Sequence, residues 1–105
     1  MTVVCRLEVV QPNRGVAALL PDGSQVAVFR VGDEVFALSN VDPFSGAAVL
    51  ARGIVGDRRG VEVAVSPVYK QAFDLRTGIC LDDPTVSVRT YPVRVDDGVI
   101  VVGPA

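Results

Sequence analysis

A chain of 105 residues has room for one buried core rather than two, and folding at this length needs no disulfide. Ten basic residues stand against twelve acidic ones, with no run of either sign beyond two, so charge gives no reason to expect DNA, RNA or an anionic membrane as partner. Histidine is absent, which excludes imidazole-based catalysis, imidazole metal ligation and histidine proton shuttling.

Valine supplies 23 residues. A β-branched side chain loses rotamer freedom in a helix and fits a pleated sheet, so the expected class is all-β. In chain order, Thr2 to Val10 reads as a strand, and Gln11-Pro12-Asn13-Arg14-Gly15 breaks it. Val16 to Leu20, Gln25 to Val31 and Glu34 to Ser39 follow as three short strands in meander order. Pro21-Asp22-Gly23 and Gly32-Asp33 are the turns between them. From Asn40 to Gly60 the periodicity weakens, with four glycines and one proline, and Ala47 to Arg52 fits one helical turn. Strand signal returns at Val61 to Val65 and again at Gln71 to Leu75. Arg76-Thr77-Gly78 and Asp82-Asp83-Pro84 are turns. Val86 to Val95, Asp96-Asp97-Gly98 and Val99 to Val102 form a closing hairpin. Such a pattern predicts a sandwich or small barrel carrying a loop-rich insertion at 40–80.

The N-terminus shows no basic stretch followed by a long apolar segment, and the apolar runs are too short to span a bilayer. A soluble, cytoplasmic protein is expected. There Cys5 and Cys80 read as two buried thiols, although in a secreted protein they could pair.

Two segments carry the most information. The first is Ala37-Leu38-Ser39-Asn40-Val41-Asp42-Pro43-Phe44-Ser45-Gly46-Ala47, and the second is Ser66-Pro67-Val68-Tyr69-Lys70-Gln71-Ala72-Phe73-Asp74-Leu75-Arg76-Thr77-Gly78. Together they resemble the cluster-binding loops of Rieske ferredoxins, which run Cys-Pro-His-x-Gly-Ala and then Cys-Pro-x-His-Gly-x-x-Phe-Asp-x-x-x-Gly. A Rieske cluster takes two thiolates on one iron and two imidazoles on the other. The aligned positions hold Asp42, Phe44, Ser66 and Tyr69, none of them a thiol or an imidazole.

Retained loops with lost ligands are similar to the small-subunit family of cytoplasmic, NAD(P)H-dependent assimilatory nitrite reductases. The shared residues are Asp42-Pro43-Phe44, Ser66-Pro67, Lys70-Gln71, Phe73 and Gly78-Ile79-Cys80. The resemblance implies a single Rieske-type domain over 1–105, a β-sandwich or small barrel with a degenerate cluster-binding subdomain near 40–80. It also implies an accessory, non-catalytic subunit without a cluster. Its partner would be a large subunit that carries FAD, siroheme and a [4Fe-4S] cluster and reduces nitrite to ammonium in nitrate assimilation. This chain shows no Gly-x-Gly-x-x-Gly and no Cys-x-x-Cys of its own.

No catalytic, cofactor-binding or metal residues are expected. The expected partner-binding set is Pro43, Phe44, Ser45, Tyr69, Lys70 and Gln71. Phe44 and Tyr69 are either a partner-facing pair or an apolar plug in the space a cluster once held. Lys70, the sole lysine, is either a solvated charge or an interface residue. Pro43 and Pro67 stiffen their loops. With no base to orient the serine, Asp42 and Ser66 are expected to make loop hydrogen bonds. Arg58-Arg59 reads as an exposed turn. The alternative function is a free-standing module that uses the vacated site for a small ligand or another protein. A Rieske electron carrier is excluded by the missing ligands.

Overall fold

Valine-rich runs punctuated by Gly, Asp and Pro fold into ten short strands in the computed structural model, which describes residues 1–104. They are β1 (Thr2–Arg6), β2 (Arg14–Leu19), β3 (Gln25–Val31), β4 (Glu34–Ser39), β5 (Ile54–Arg58), β6 (Val61–Val65), β7 (Ala72–Asp74), β8 (Thr90–Tyr91), β9 (Val93–Asp96) and β10 (Val99–Val102). Three antiparallel sheets result, in the orders β1-β10-β9, β2-β3-β4-β8 and β5-β6-β7. Among the described residues, no helix is long and apolar enough to cross a membrane.

The middle of β3 is buried on both faces, which is why Val26 to Phe29 reads as an apolar run rather than an alternating one. Val26, Val28 and Ala37 point one way and pack with Val10, Leu20, Tyr91, Ile100 and Val102. Ala27, Phe29 and Leu38 point the other way and pack with Leu50, Ala64, Phe73, Leu75, Cys80 and Val88. Each large apolar side chain buried this way stabilises the fold by roughly 1.5–3 kcal/mol. Two clusters thus form on one scaffold, one toward the terminal strands and one toward the loop-bearing sheet. Between β8 and β9, Pro92 lacks the N–H that would extend pairing with β4, and the chain crosses to the terminal sheet.

Gly78 shows why the second cluster needs a glycine beside it. Its φ is +78°, and a Cβ there would collide with the Val88 carbonyl, brought close because Val88 N–H donates to Gly78 O at 2.8 Å. Arg76 fastens the loop-bearing sheet to the central one. Its guanidinium donates to Glu62 on β6 at 2.6 Å and Glu34 on β4 at 3.3 Å, and lies 4.9 Å from the centre of the Phe36 ring.

The all-β class, the meander and the closing hairpin agree with expectation. Other limits differ. β2 is Arg14–Leu19 rather than Val16 to Leu20, and β7 is Ala72–Asp74 rather than Gln71 to Leu75. Strand 1 stops at Arg6, and Leu7–Val9 tightens into a 3-10 turn. The helical turn expected over 47–52 is a 3-10 turn at Leu50–Arg52. Segment 40–80 carries a sheet of its own, including the unexpected β5, which pairs in full with β6. Val86 to Val95 is not one strand, because Val86 and Val88 enter the core from an irregular segment. Both cysteines are free. Cys80 is fully buried, whereas Cys5 is only half-buried, and that burial pushes its thiol up from the ordinary range.

Candidate functional site

Two loops, one after β4 of the central sheet and one joining β6 to β7 of the third, share one backbone plan. The first begins at Asp42 and the second at Ser66, each followed by proline. In the first, Asp42 N–H donates to Ala47 O (2.9 Å) and Gly46 N–H donates to Asp42 O (2.7 Å). In the second, Ser66 N–H donates to Gln71 O (2.9 Å) and Lys70 N–H donates to Ser66 O (3.1 Å). The leading side chains also cap their own loops: Phe44 N–H donates to Asp42 Oδ1 at 2.8 Å and Val68 N–H to Ser66 Oγ at 3.3 Å. Proline suits the second position because its fixed φ pre-sets the turn and no N–H is missed there.

The two leading residues meet. Ser66 Oγ donates to Asp42 Oδ2, and both residues are fully buried. One carboxylate therefore closes its own loop with one oxygen and grips the neighbouring loop with the other. A hydroxyl-to-carboxylate bond of this kind is stronger than a neutral one, and burial screens it little. The expectation of loop hydrogen bonds for this pair is met, with the added feature that the bond joins the loops.

The remaining expected residues divide. Phe44 turns inward, half-buried against the second core cluster, its ring centre 6.2 Å from that of Phe73. Tyr69 turns outward and is 59% exposed, so the two aromatics do not act as one pair: the plug is Phe44 with Phe73, and Tyr69 faces solvent. Pro43 and Lys70 are exposed, and Ser45 and Gln71 are half-buried. Ser45 Oγ accepts Ala47 N–H at 3.2 Å, and Lys70 Nζ donates to Pro67 O at 3.0 Å. The side-chain oxygen of Gln71 is buried with no hydrogen-bond partner among the described residues.

Several contributors had weaker sequence signals. Asn40, buried, accepts Ala51 N–H at 2.7 Å through Oδ1 and Leu50 N–H through its carbonyl, which fixes the entry of the first loop. Asp82 does the same for the exit of the second, accepting Ala72 N–H at 2.8 Å and Arg58 at 2.7 Å. The Ala72 amide, followed by the Arg58 guanidinium, holds the Asp82 carboxyl below its ordinary range. Arg58 thus leaves the exposed turn expected of it for an ion pair. Val41 and Val68 add apolar surface beside Pro43 and Tyr69. An open concavity of about 420 Å³, lined by Phe36, Leu75, Arg76, Tyr91 and Pro92 among others, includes neither loop.

A family model described as a Rieske-like [2Fe-2S] domain matches residues 1–103. The nitrite reductase (NADH) small subunit of Escherichia coli is 44% identical over 99 residues, covering 92% of this chain and 91% of that one. The crystal structure of a Mycobacterium tuberculosis protein assigned as an NADH-dependent nitrite reductase small subunit superposes with a TM-score of 0.96. It shares 57% identity over 99% of this chain and 94% of that one. A nitrite reductase [NAD(P)H] large subunit from Klebsiella oxytoca contains a region 42% identical to 95% of this chain, which is 10% of its own length.

The residues present do not fit the cluster that the family model names. Of the four aligned side chains, Asp42 and Ser66 are engaged with each other, Phe44 has no donor atom and packs on Phe73, and Tyr69 faces solvent. A thiolate pair and an imidazole pair are what such a cluster requires.

Proposed function

Because this chain belongs to the Rieske-like domain family and, within it, to the nitrite reductase small subunits, we propose that it is a cluster-free accessory subunit of an NAD(P)H-dependent nitrite reductase. In this reading flavin, siroheme and iron–sulfur chemistry belong to a large subunit in the cytoplasm, where nitrite becomes ammonium. The loop face of the small chain docks on that subunit without passing electrons through itself. The observation that carries the reading is the Asp42–Ser66 bond, with Phe44 packed beside it, at the place where ligands would stand. That bond holds the loops in a docking shape by hydrogen bonding instead of metal ligation.

Partnership with a large subunit draws support from the Klebsiella oxytoca relative, in which a large-subunit chain itself contains the matching region. A vacated pocket for a small ligand draws less, since side chains interlock where the ligand would sit. Purified chain, mixed with the large nitrite reductase subunit of the same host, tests the reading. The expected result is no nitrite reduction by the chain alone, co-elution of the two, and faster or longer-lived turnover with reduced nicotinamide. A large subunit equally active and stable alone, with no co-elution, refutes it.

A further inference from the structure

The hairpin joining β2 to β3 carries an apolar rim at its tip. Leu19 and Leu20 project to opposite faces of the sheet, as strand neighbours do. Leu20 is buried in the cluster toward the terminal strands, whereas Leu19 lies on the loop-bearing side and is 68% exposed. Leu19 pairs with Gln25, and Gln25 O accepts the N–H of Asn40, which enters the first loop, at 2.9 Å. Two strand spacings, about 10 Å, separate Leu19 from the mouth of that loop. Pro21, also exposed, lines a concavity of about 200 Å³ with Met1, Leu20, Gly103 and Pro104. A hollow of this size is too small for a drug-sized ligand, whose pockets start at about 300 Å³, and suits an apolar side chain. One exposed leucine is ordinary on a protein surface. Here it adjoins a concavity on one side and the loop face on the other.

The ends of the chain meet at the same place. Thr2 pairs with Val102, and a Cβ added to Gly103 would stand 2.7 Å from Met1 Sδ. In the Klebsiella oxytoca large subunit, the region matching 95% of this chain is 10% of a longer polypeptide. Such a region joins the rest of its chain through one end or both. On this fold either end opens beside the concavity, so large-subunit sequence would start there whichever end carries the join.

We infer that this rim is a second contact for the large nitrite reductase subunit, which covers Leu19 and seats an apolar side chain in the concavity. The inference rests on the proposed partnership and adds where, beyond the two loops, the partner lies.

Leu19→Glu and Pro21→Arg in the full chain test it, because they bring opposite charges to two exposed residues of the rim. Arg59→Glu is the control, at the tip of the β5–β6 hairpin and so at the opposite end of β6 from the second loop. Melting temperature and affinity for the purified large subunit are measured for each. Both rim variants are expected to melt within a few degrees of wild type, as exposed substitutions do. Both should bind the large subunit about tenfold more weakly, while Arg59→Glu binds as wild type does. A shared loss from opposite charges marks a broken apolar contact rather than an altered long-range field. Leu19→Ala, which brings no charge to the edge strand, should show a smaller loss in the same direction. The inference is overturned if either rim variant binds as tightly as wild type, or if Arg59→Glu weakens binding equally. A concentration-dependent dimer of the chain alone, dissolved by both rim variants, would assign the rim to a second copy and also overturn it. Wild type failing to bind the large subunit at all sinks the proposed function and this contact together, a result distinct from normal wild-type binding with indifferent rim variants.

Discussion

The two loops have the same hydrogen-bonded frame and opposite uses. Each starts with an oxygen-bearing side chain before a proline, and each closes through a left-handed fifth residue. The first loop turns its aromatic residue into the core, whereas the second turns Val68, Tyr69 and Lys70 to solvent. The two leading residues bond to each other and so tie the two frames together. So joined, the loops are free to specialise, one for packing and the other for surface.

The sharpest way to break this division is Phe44→Ala. If the first loop is a packing element, losing the ring that meets Phe73 should cost about 3 kcal/mol and lower the melting temperature by more than about 10 °C. The same truncation at Tyr69 should do far less, and equal effects would erase the distinction. Ser66→Ala removes the bond between the loops and leaves a buried carboxylate oxygen unpaired, for a loss of about 2 kcal/mol by chemical denaturation. A loss near zero would mean that the loops hold together without it. Gly46→Lys gives the first loop the second loop's residue. No atom lies within 4 Å of a Cβ added there, so backbone strain alone is tested, and about 1 kcal/mol of destabilisation is expected.

The smallest effect concerns the anchors. Asn40 fixes the first loop without charge, whereas Asp82 fixes the second as a carboxylate held below its ordinary value of 3.8. An acid lowered in the folded state adds stability above its unfolded pKa and loses that contribution as pH falls through the folded one. Asp82→Asn, which keeps an acceptor for Ala72, should therefore cost no more than about 1 kcal/mol near neutrality, since the ion pair is exposed. The gap should close as pH drops below 3.8, as denaturant titrations at pH 7 and at acid pH would read. A gap independent of pH would remove the charge from the explanation.

Much of the scaffold was legible because its strands are dense in valine and bounded by turn residues. The expected and observed limits coincide for β3, β4, β6 and β10. β5 was not legible, because Gly53 and Gly56 dilute its signal and pairing with β6 decides its conformation. In the site, the loops could be read from their resemblance to the Rieske motif, and hydrogen bonding by Asp42 and Ser66 from their chemistry. Their bond to each other could not, since 24 positions separate them and they follow strands of different sheets. Phe44 inward and Tyr69 outward are equally compatible with an apolar loop. The left-handed Lys70 was invisible, because lysine carries no turn signal.

In the proposed reading, hydrogen bonding and packing stand in for a cluster at these loops. The direct measurement is iron and acid-labile sulfide per chain after anaerobic expression with iron and sulfide supplied, read together with visible absorption. Without thiolate and imidazole donors at the four aligned positions, a colourless protein with iron far below one atom per chain is expected. About two irons per chain, with a visible spectrum that bleaches on reduction, would contradict it.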